Sequence, residues 1–85
     1  MHGVYVLRSK KDLNLYVGYA HDLKARVIEH QKGHVPATKN RRPLELIYCE
    51  LHRNRKGAMH REKFFKSGWG RNYLQKVLQN SLKDR

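Results

Sequence analysis

Two short apolar stretches separated by a polar turn constrain the first quarter of the chain more than any other feature. His2 to Arg8 and Leu15 to Tyr19 are rich in β-branched and aromatic residues, and Ser9 to Asn14 between them is polar, with Asp12 and Asn14 as turn formers. This pattern predicts an antiparallel hairpin. If it turns symmetrically about Lys10 and Lys11, Tyr5 and Tyr16 face each other across the strands and share one face. Gly3 and Gly18 lie two residues away on that face and leave a floor that another group can approach. Ordinary amphipathic strands would also carry such tyrosines, so the hairpin alone does not define a site.

Beyond the hairpin, Asp22 is placed to cap a helix from Leu23 to about Lys32 that stops at Gly33, with Leu23 and Val27 on its buried side. His34 to Arg42 has no apolar period and is expected to be a loop. Pro43 precedes a third strand, Leu44 to Leu51, and Asn54 caps a second helix from Arg55 to Ser67, interrupted by Gly68 and Gly70. A third helix follows, with Leu74, Val77, Leu78 and Leu82 at helical spacing, and the tail Lys83-Asp84-Arg85 is expected to fray. The fold class is therefore α+β in the order ββαβαα, a three-stranded sheet flanked by three helices. The 85 residues, 39 % of them hydrophobic, are expected to form a single domain over 1–85.

Nineteen Lys and Arg stand against seven Asp and Glu, a net charge of +12 spread along the whole chain, which favours a polyanionic partner such as nucleic acid. A basic domain serving only rRNA contact would carry the same charge. Cys49 is the only cysteine, so an internal disulfide is excluded, and its apolar setting predicts a buried strand thiol. With no signal-peptide pattern and no membrane-length apolar run, a cytoplasmic location is expected. The chain has no G-x-x-x-x-G-K-S/T phosphate loop and no Cys-x-x-Cys pair, which argues against nucleotide hydrolysis and structural zinc. The histidines His2, His21, His34, His52 and His60, with Cys49, do not form a recognised ligand set.

Three further residues can carry chemistry. Arg26 and His30 are four apart on one helix face beside Leu23, where a guanidinium can hold a phosphate and an imidazole can move a proton near neutral pH. Glu62 falls on the inward face of its helix among Ala58, Met59 and Phe65. A carboxylate there needs either a neighbouring Lys or Arg or a divalent cation. Other carboxylates are dispersed: Asp12 in a turn, Asp22 at a cap, Glu29 outward, Glu45 and Glu50 on opposite strand faces, Asp84 in the tail. Two-metal chemistry, which needs several convergent carboxylates, is disfavoured.

Gly3-Val4-Tyr5, ten residues, Tyr16-Val17-Gly18, then Arg26, His30 and Glu62 in that order resemble the GIY-YIG endonuclease family over almost the whole chain. The likeness extends through Asp22-Leu23-x-x-Arg26-x-x-x-His30-x-x-Gly33 and Ala58-x-x-x-Glu62-x-x-x-Lys66. It implies a metal-dependent endonuclease that hydrolyses phosphodiester bonds, DNA favoured over RNA, leaving 5′-phosphate and 3′-hydroxyl ends. It further implies that Glu62 is the sole protein ligand of one Mg²⁺ or Mn²⁺ ion and that Arg26 stabilises the scissile phosphate. Tyr5, Tyr16 or His30 then orients or deprotonates the attacking water. A phenol of pKa about 10 has to be lowered to act as a base at neutral pH. Both motif centres are Val where the family has Ile, and the family's late Asn is matched only loosely by Asn72. Larger relatives carry separate DNA-binding domains, so targeting here is expected to fall to the basic residues Lys24, Lys39, Arg41 and Arg42 or to a protein partner. A nucleic-acid-binding module of the same fold with little turnover is the competing expectation.

Overall fold

The computed structural model describes residues 1–83. It contains β1 (His2–Ser9), β2 (Leu15–Ala20), α1 (Leu23–Gln31), a 3-10 turn (Lys39–Arg41), β3 (Leu44–His52), α2 (Arg55–Lys66), α3 (Gly68–Val77) and α4 (Gln79–Lys83). The expected α+β class and element order hold. The third helix differs: it begins at Gly68, takes in both glycines, and breaks at Leu78 into α3 and α4. Leu74 and Leu78 are buried as expected, but Val77 is 47 % exposed and stands outside the core. Lys83 closes α4 rather than fraying, and Asp84 and Arg85 lie outside the described residues.

The sheet is antiparallel in the order β2-β1-β3, so β1 is central and buried on both faces. Strand alternation sends Val4 and Val6 to one side, where they meet Ala58 and Phe65 of α2 and Leu74 of α3, with Leu78. Tyr5 and Leu7 point to the other side, toward Ala20, Leu44 and Leu23 of α1. Each face thus has its own small core, and α1 lies opposite α2 and α3.

Register corrects two expectations. Tyr5 pairs with Gly18, and Tyr16 pairs with Leu7, because the turn centres one residue further along the chain than Lys10 and Lys11. The two tyrosines share a face as expected, but diagonally rather than directly opposite. In β3 a bulge at Ile47 adds one residue between the partners of Val6 and Leu7. Glu45 and Glu50 consequently pair with Arg8 and Val4, on one face rather than opposite faces. The same shift leaves Cys49 exposed opposite Tyr5 in the outer strand, contrary to the expected buried thiol.

Local chemistry sets the helix ends. Asp22 Oδ1 accepts from Ala25 N at 3.1 Å, and Asn54 Oδ1 accepts from Lys56 N at 2.8 Å, satisfying backbone donors that the first turn leaves open. Ser67 serves two helices: its hydroxyl donates to Phe64 O at 2.6 Å, ending α2, and accepts from Gly70 N at 3.2 Å, starting α3. Gly70 is required by packing, since a Cβ there would overlap the Phe64 carbonyl. Gly33 ends α1 with φ +79°, a conformation that L side chains rarely adopt. On the α2 side of the sheet, Arg61 donates to both oxygens of Glu50 from Nε at 2.9 and 3.1 Å and lies 4.5 Å above the centre of the Phe65 ring. Burial pushes the Glu50 carboxyl up, but bonds from Arg61, Tyr48 and His52 outweigh it and hold the carboxyl below its ordinary value.

Candidate active site

Tyr5, Tyr16 and His30 come together because β1, β2 and α1 present them to one space. Gly18, opposite Tyr5 in the ladder, has no side chain, and the Tyr5 ring lies over it; a Cβ at Gly18 would overlap the phenol. Gly3 does the same for Leu23, whose Cβ would be 3.2 Å from a Cβ at position 3, and so lets α1 approach the sheet. The glycine floor predicted from sequence is thus filled by specific neighbours. His30, on the last turn of α1, is fully buried, and its ring stands edge-on to Tyr5 and Tyr16, with centroids 5.4 and 5.2 Å away.

Both imidazole nitrogens of His30 are engaged, Nε2 with the Tyr5 hydroxyl at 2.6 Å and Nδ1 with Thr38 Oγ1 at 2.7 Å. A neutral imidazole satisfies this arrangement with one N–H and one lone pair. Burial, and then the nearby Arg26 charge, push the His30 pKa below its ordinary value, so the ring is neutral at pH 7. Thr38 is fully buried and sits just before the 3-10 turn. Sequence reasoning missed it, because a threonine in a basic loop carries no periodic signal. Its hydroxyl meets His30 only through the fold of residues 34–42.

Burial pushes the Tyr5 phenol up to about 12, against a hydrogen bond and a charge from Arg26 and with added upward pressure from Tyr16 and Glu62. Arg26 and Glu62, one exposed on α1 and one half-buried on α2, therefore both act on the same phenol. The protein alone does not lower Tyr5 toward neutrality. Tyr5 is 1 % exposed, whereas Tyr16 is only half-buried and lines a groove of about 730 Å³. β2 is one of the two edge strands, and the groove wraps it: Leu15, Tyr16 and Val17 form one wall, and Phe65, Lys66, Arg71, Leu74 and Gln75 form the other.

The Glu62 side chain is 18 % exposed and accepts from Lys66 Nζ at 2.9 Å, an i,i+4 pair on α2. Lys66 was legible from that spacing as the partner of Glu62. No cluster of three His, Cys, Asp or Glu capable of holding a metal ion occurs among the described residues. The donor set is therefore a single carboxylate that already attracts a cation. This suits a divalent cation of the kind held by one or two carboxylates, with waters and substrate phosphate completing its shell.

The basic residues chosen from sequence separate in space. Lys39 and Arg42 line a shallow depression with Lys11, whereas Arg41 lines the groove and donates from Nε to Asp12 Oδ2 at 2.7 Å. Lys24 is exposed on the first turn of α1. Asn72 is exposed on α3 and is not among the groove-lining residues. Among the described residues no helix is long and apolar enough to cross a membrane.

Comparison with known proteins identifies the family. The family model of the GIY-YIG catalytic domain matches residues 1–75. A UPF0213 protein of Staphylococcus epidermidis is 45 % identical over 62 residues, covering 72 % of this chain and 74 % of its own length. Over the same coverage, UPF0213 proteins of Staphylococcus aureus and Staphylococcus saprophyticus are 42 % and 40 % identical. No solved structure gives a significant match. The chain belongs to the GIY-YIG family, whose catalytic domain is a nuclease domain acting on nucleic acid.

Proposed function

We propose that residues 1–85 form a single metal-dependent endonuclease domain that hydrolyses phosphodiester bonds, with DNA as substrate. The observation that carries this reading is the meeting of Tyr5, Tyr16 and His30 beside a groove whose far wall holds Lys66, the partner of Glu62. Tyr16 is the phenol open to the groove and orients the attacking water there. Tyr5, buried and bonded to His30, holds the wall behind it. If Tyr5 takes up the proton that the attacking water releases as it bonds to phosphorus, its own proton has a path to His30 Nε2, while Thr38 keeps the other nitrogen occupied. Arg26 supplies a fixed positive charge for the scissile phosphate.

Glu62 is the residue that would hold the Mg²⁺ or Mn²⁺ ion, in the position where its carboxylate now faces Lys66. When bound, the ion supplies Lewis-acid stabilisation of charge on the phosphate oxygens. A lone exposed Cys49 and nucleic-acid chemistry are consistent with action in the cytoplasm. Pathway roles in repair or recombination, and a targeting protein partner, fit a small domain whose own contacts are a few basic loops. The Glu62–Lys66 ion pair is also what a binding module without turnover would use to satisfy a half-buried carboxylate.

The deciding experiment is cleavage of supercoiled, flapped and branched DNA, with RNA alongside, in Mg²⁺ and Mn²⁺, for wild type and Glu62→Gln. The expected result is metal-dependent cutting that the substitution abolishes, a loss of at least about a hundredfold by analogy with removal of a key electrostatic group, while DNA binding persists. Absence of cutting on every substrate, or cutting that the substitution leaves intact, overturns the nuclease reading in favour of the binding module.

A further inference from the structure

We infer that the groove along the β2 edge takes one strand of nucleic acid, one or two unpaired nucleotides long, and that Arg71 grips a phosphate of that strand. The inference rests on the nucleic-acid reading above and extends it to a substrate class and to a residue outside the catalytic set.

Size comes first. A groove of about 730 Å³ falls in the range of roughly 300 to 1,000 Å³ that encloses small organic ligands, which admits a nucleotide or two and not a duplex. Its chemistry fits a single strand, because the half-buried Tyr16 contributes aromatic surface and Lys66, Arg71 and Arg41 contribute positive charge. The groove also reaches the proposed site directly, through Tyr16 on one wall and Lys66 on the other. A strand lying in it places its next phosphate at the tyrosines.

The three cations are not equivalent. Arg41 is bound to Asp12 at 2.7 and 3.3 Å, and that carboxylate, itself a groove residue, repels phosphate from this end. Lys66 is bound to Glu62. Arg71 is exposed and makes no ion pair among the described residues. Its place is set by the fold: Ser67 caps α3, and the absent side chain of Gly70 lets α3 sit directly on the Phe64 carbonyl. Arg71, Leu74 and Gln75 then share the flank of α3 that faces the groove.

The test is fluorescence anisotropy of labelled DNA in EDTA, where no cutting intervenes, comparing a single-stranded oligonucleotide with a blunt duplex of the same sequence. Wild type is expected to bind the single strand more tightly than the duplex. Arg71→Gln is expected to weaken single-strand binding about fivefold near 0.1 M salt and to flatten its log–log salt slope by about 0.7, one phosphate contact on a single strand. Gln75→Glu, which adds a negative charge to the same wall, is expected to weaken it similarly, so the result does not rest on one variant's folding. Lys76→Gln removes the same charge outside the groove lining and is expected to leave the slope unchanged. Equal binding of duplex and single strand by wild type, or equal effects of Arg71→Gln and Lys76→Gln, overturns the inference. Strand binding that follows these expectations in a chain that cuts nothing leaves the groove assignment standing and removes only the nuclease reading.

Discussion

At the residue scale, His30 shows how much a contact outside its own element decides. Burial under the rest of the fold, and then the charge of Arg26 on its own helix, keep its imidazole neutral, while Tyr5 from β1 and Thr38 from the loop occupy its two nitrogens. The folded pKa lies below the unfolded value of about 6.5, so in the interval between them the unfolded chain binds more protons. The stability that neutral His30 contributes is full above about pH 6.5 and falls as the pH drops toward the folded pKa. Urea unfolding at pH 7.5 and 5 is expected to show this loss in wild type and a smaller one in His30→Gln, and an identical pH dependence in both would refute it. Asp12 acts in a separate window. Its hydrogen bond from Arg41 holds its carboxyl down at about 2, so its contribution is present above the ordinary carboxylate pKa of about 3.9 and fades only below that.

At the element scale, two glycines two residues apart have opposite meanings. Gly68 opens α3 where an added Cβ would find nothing within 4 Å, whereas a Cβ at Gly70 meets the backbone of α2 at the Phe64 carbonyl. Gly70→Ala has to push the helices apart and is expected to cost about 1–3 kcal/mol, the usual range for overpacking. Gly68→Ala is expected to be neutral or to stabilise by up to about 1 kcal/mol through lost backbone freedom in the unfolded chain. Chemical denaturation of both variants, with the order reversed, would show that the α2–α3 junction is not the rigid joint described. The same junction carries Arg71, so Gly70→Ala is also expected to weaken strand binding while Gly68→Ala is not.

At the scale of the whole molecule, the surplus of positive charge governs. Four pairs between Lys or Arg and a carboxylate, those of Arg8, Arg41, Arg61 and Lys66, occur among the described residues, against nineteen basic side chains in the sequence. Most basic groups therefore repel one another more than they attract, and salt relieves this. The melting temperature is expected to rise between about 0.01 and 0.15 M NaCl, over which the screening length falls from about 30 to about 8 Å. A fall in melting temperature over that range would mean that the ion pairs outweigh the repulsion. The same charge that limits stability draws a polyanion to every face, and only the shape of the β2 edge distinguishes one face from the rest.

Much of the fold was present in the sequence, because hairpin alternation, the Asp22 and Asn54 caps and the Gly33 stop are local chemistry that neighbouring residues decide. The shared face of Tyr5 and Tyr16 was likewise legible, since alternation depends only on parity. Their diagonal offset, the bulge at Ile47 that brings Glu45 and Glu50 to one face, and the break at Leu78 were not, since register and helix ends there depend on packing between distant segments. The set Tyr5, Tyr16, Arg26, His30 and Glu62 came from the resemblance to the GIY-YIG family that their order and spacing carry. Only the tertiary structure decided that Thr38 holds His30, that Tyr5 is sealed while Tyr16 is open, and that Arg71 faces the groove. A side chain's chemistry is written in its type, but its burial, charge state and partners are set by whatever the rest of the chain brings against it.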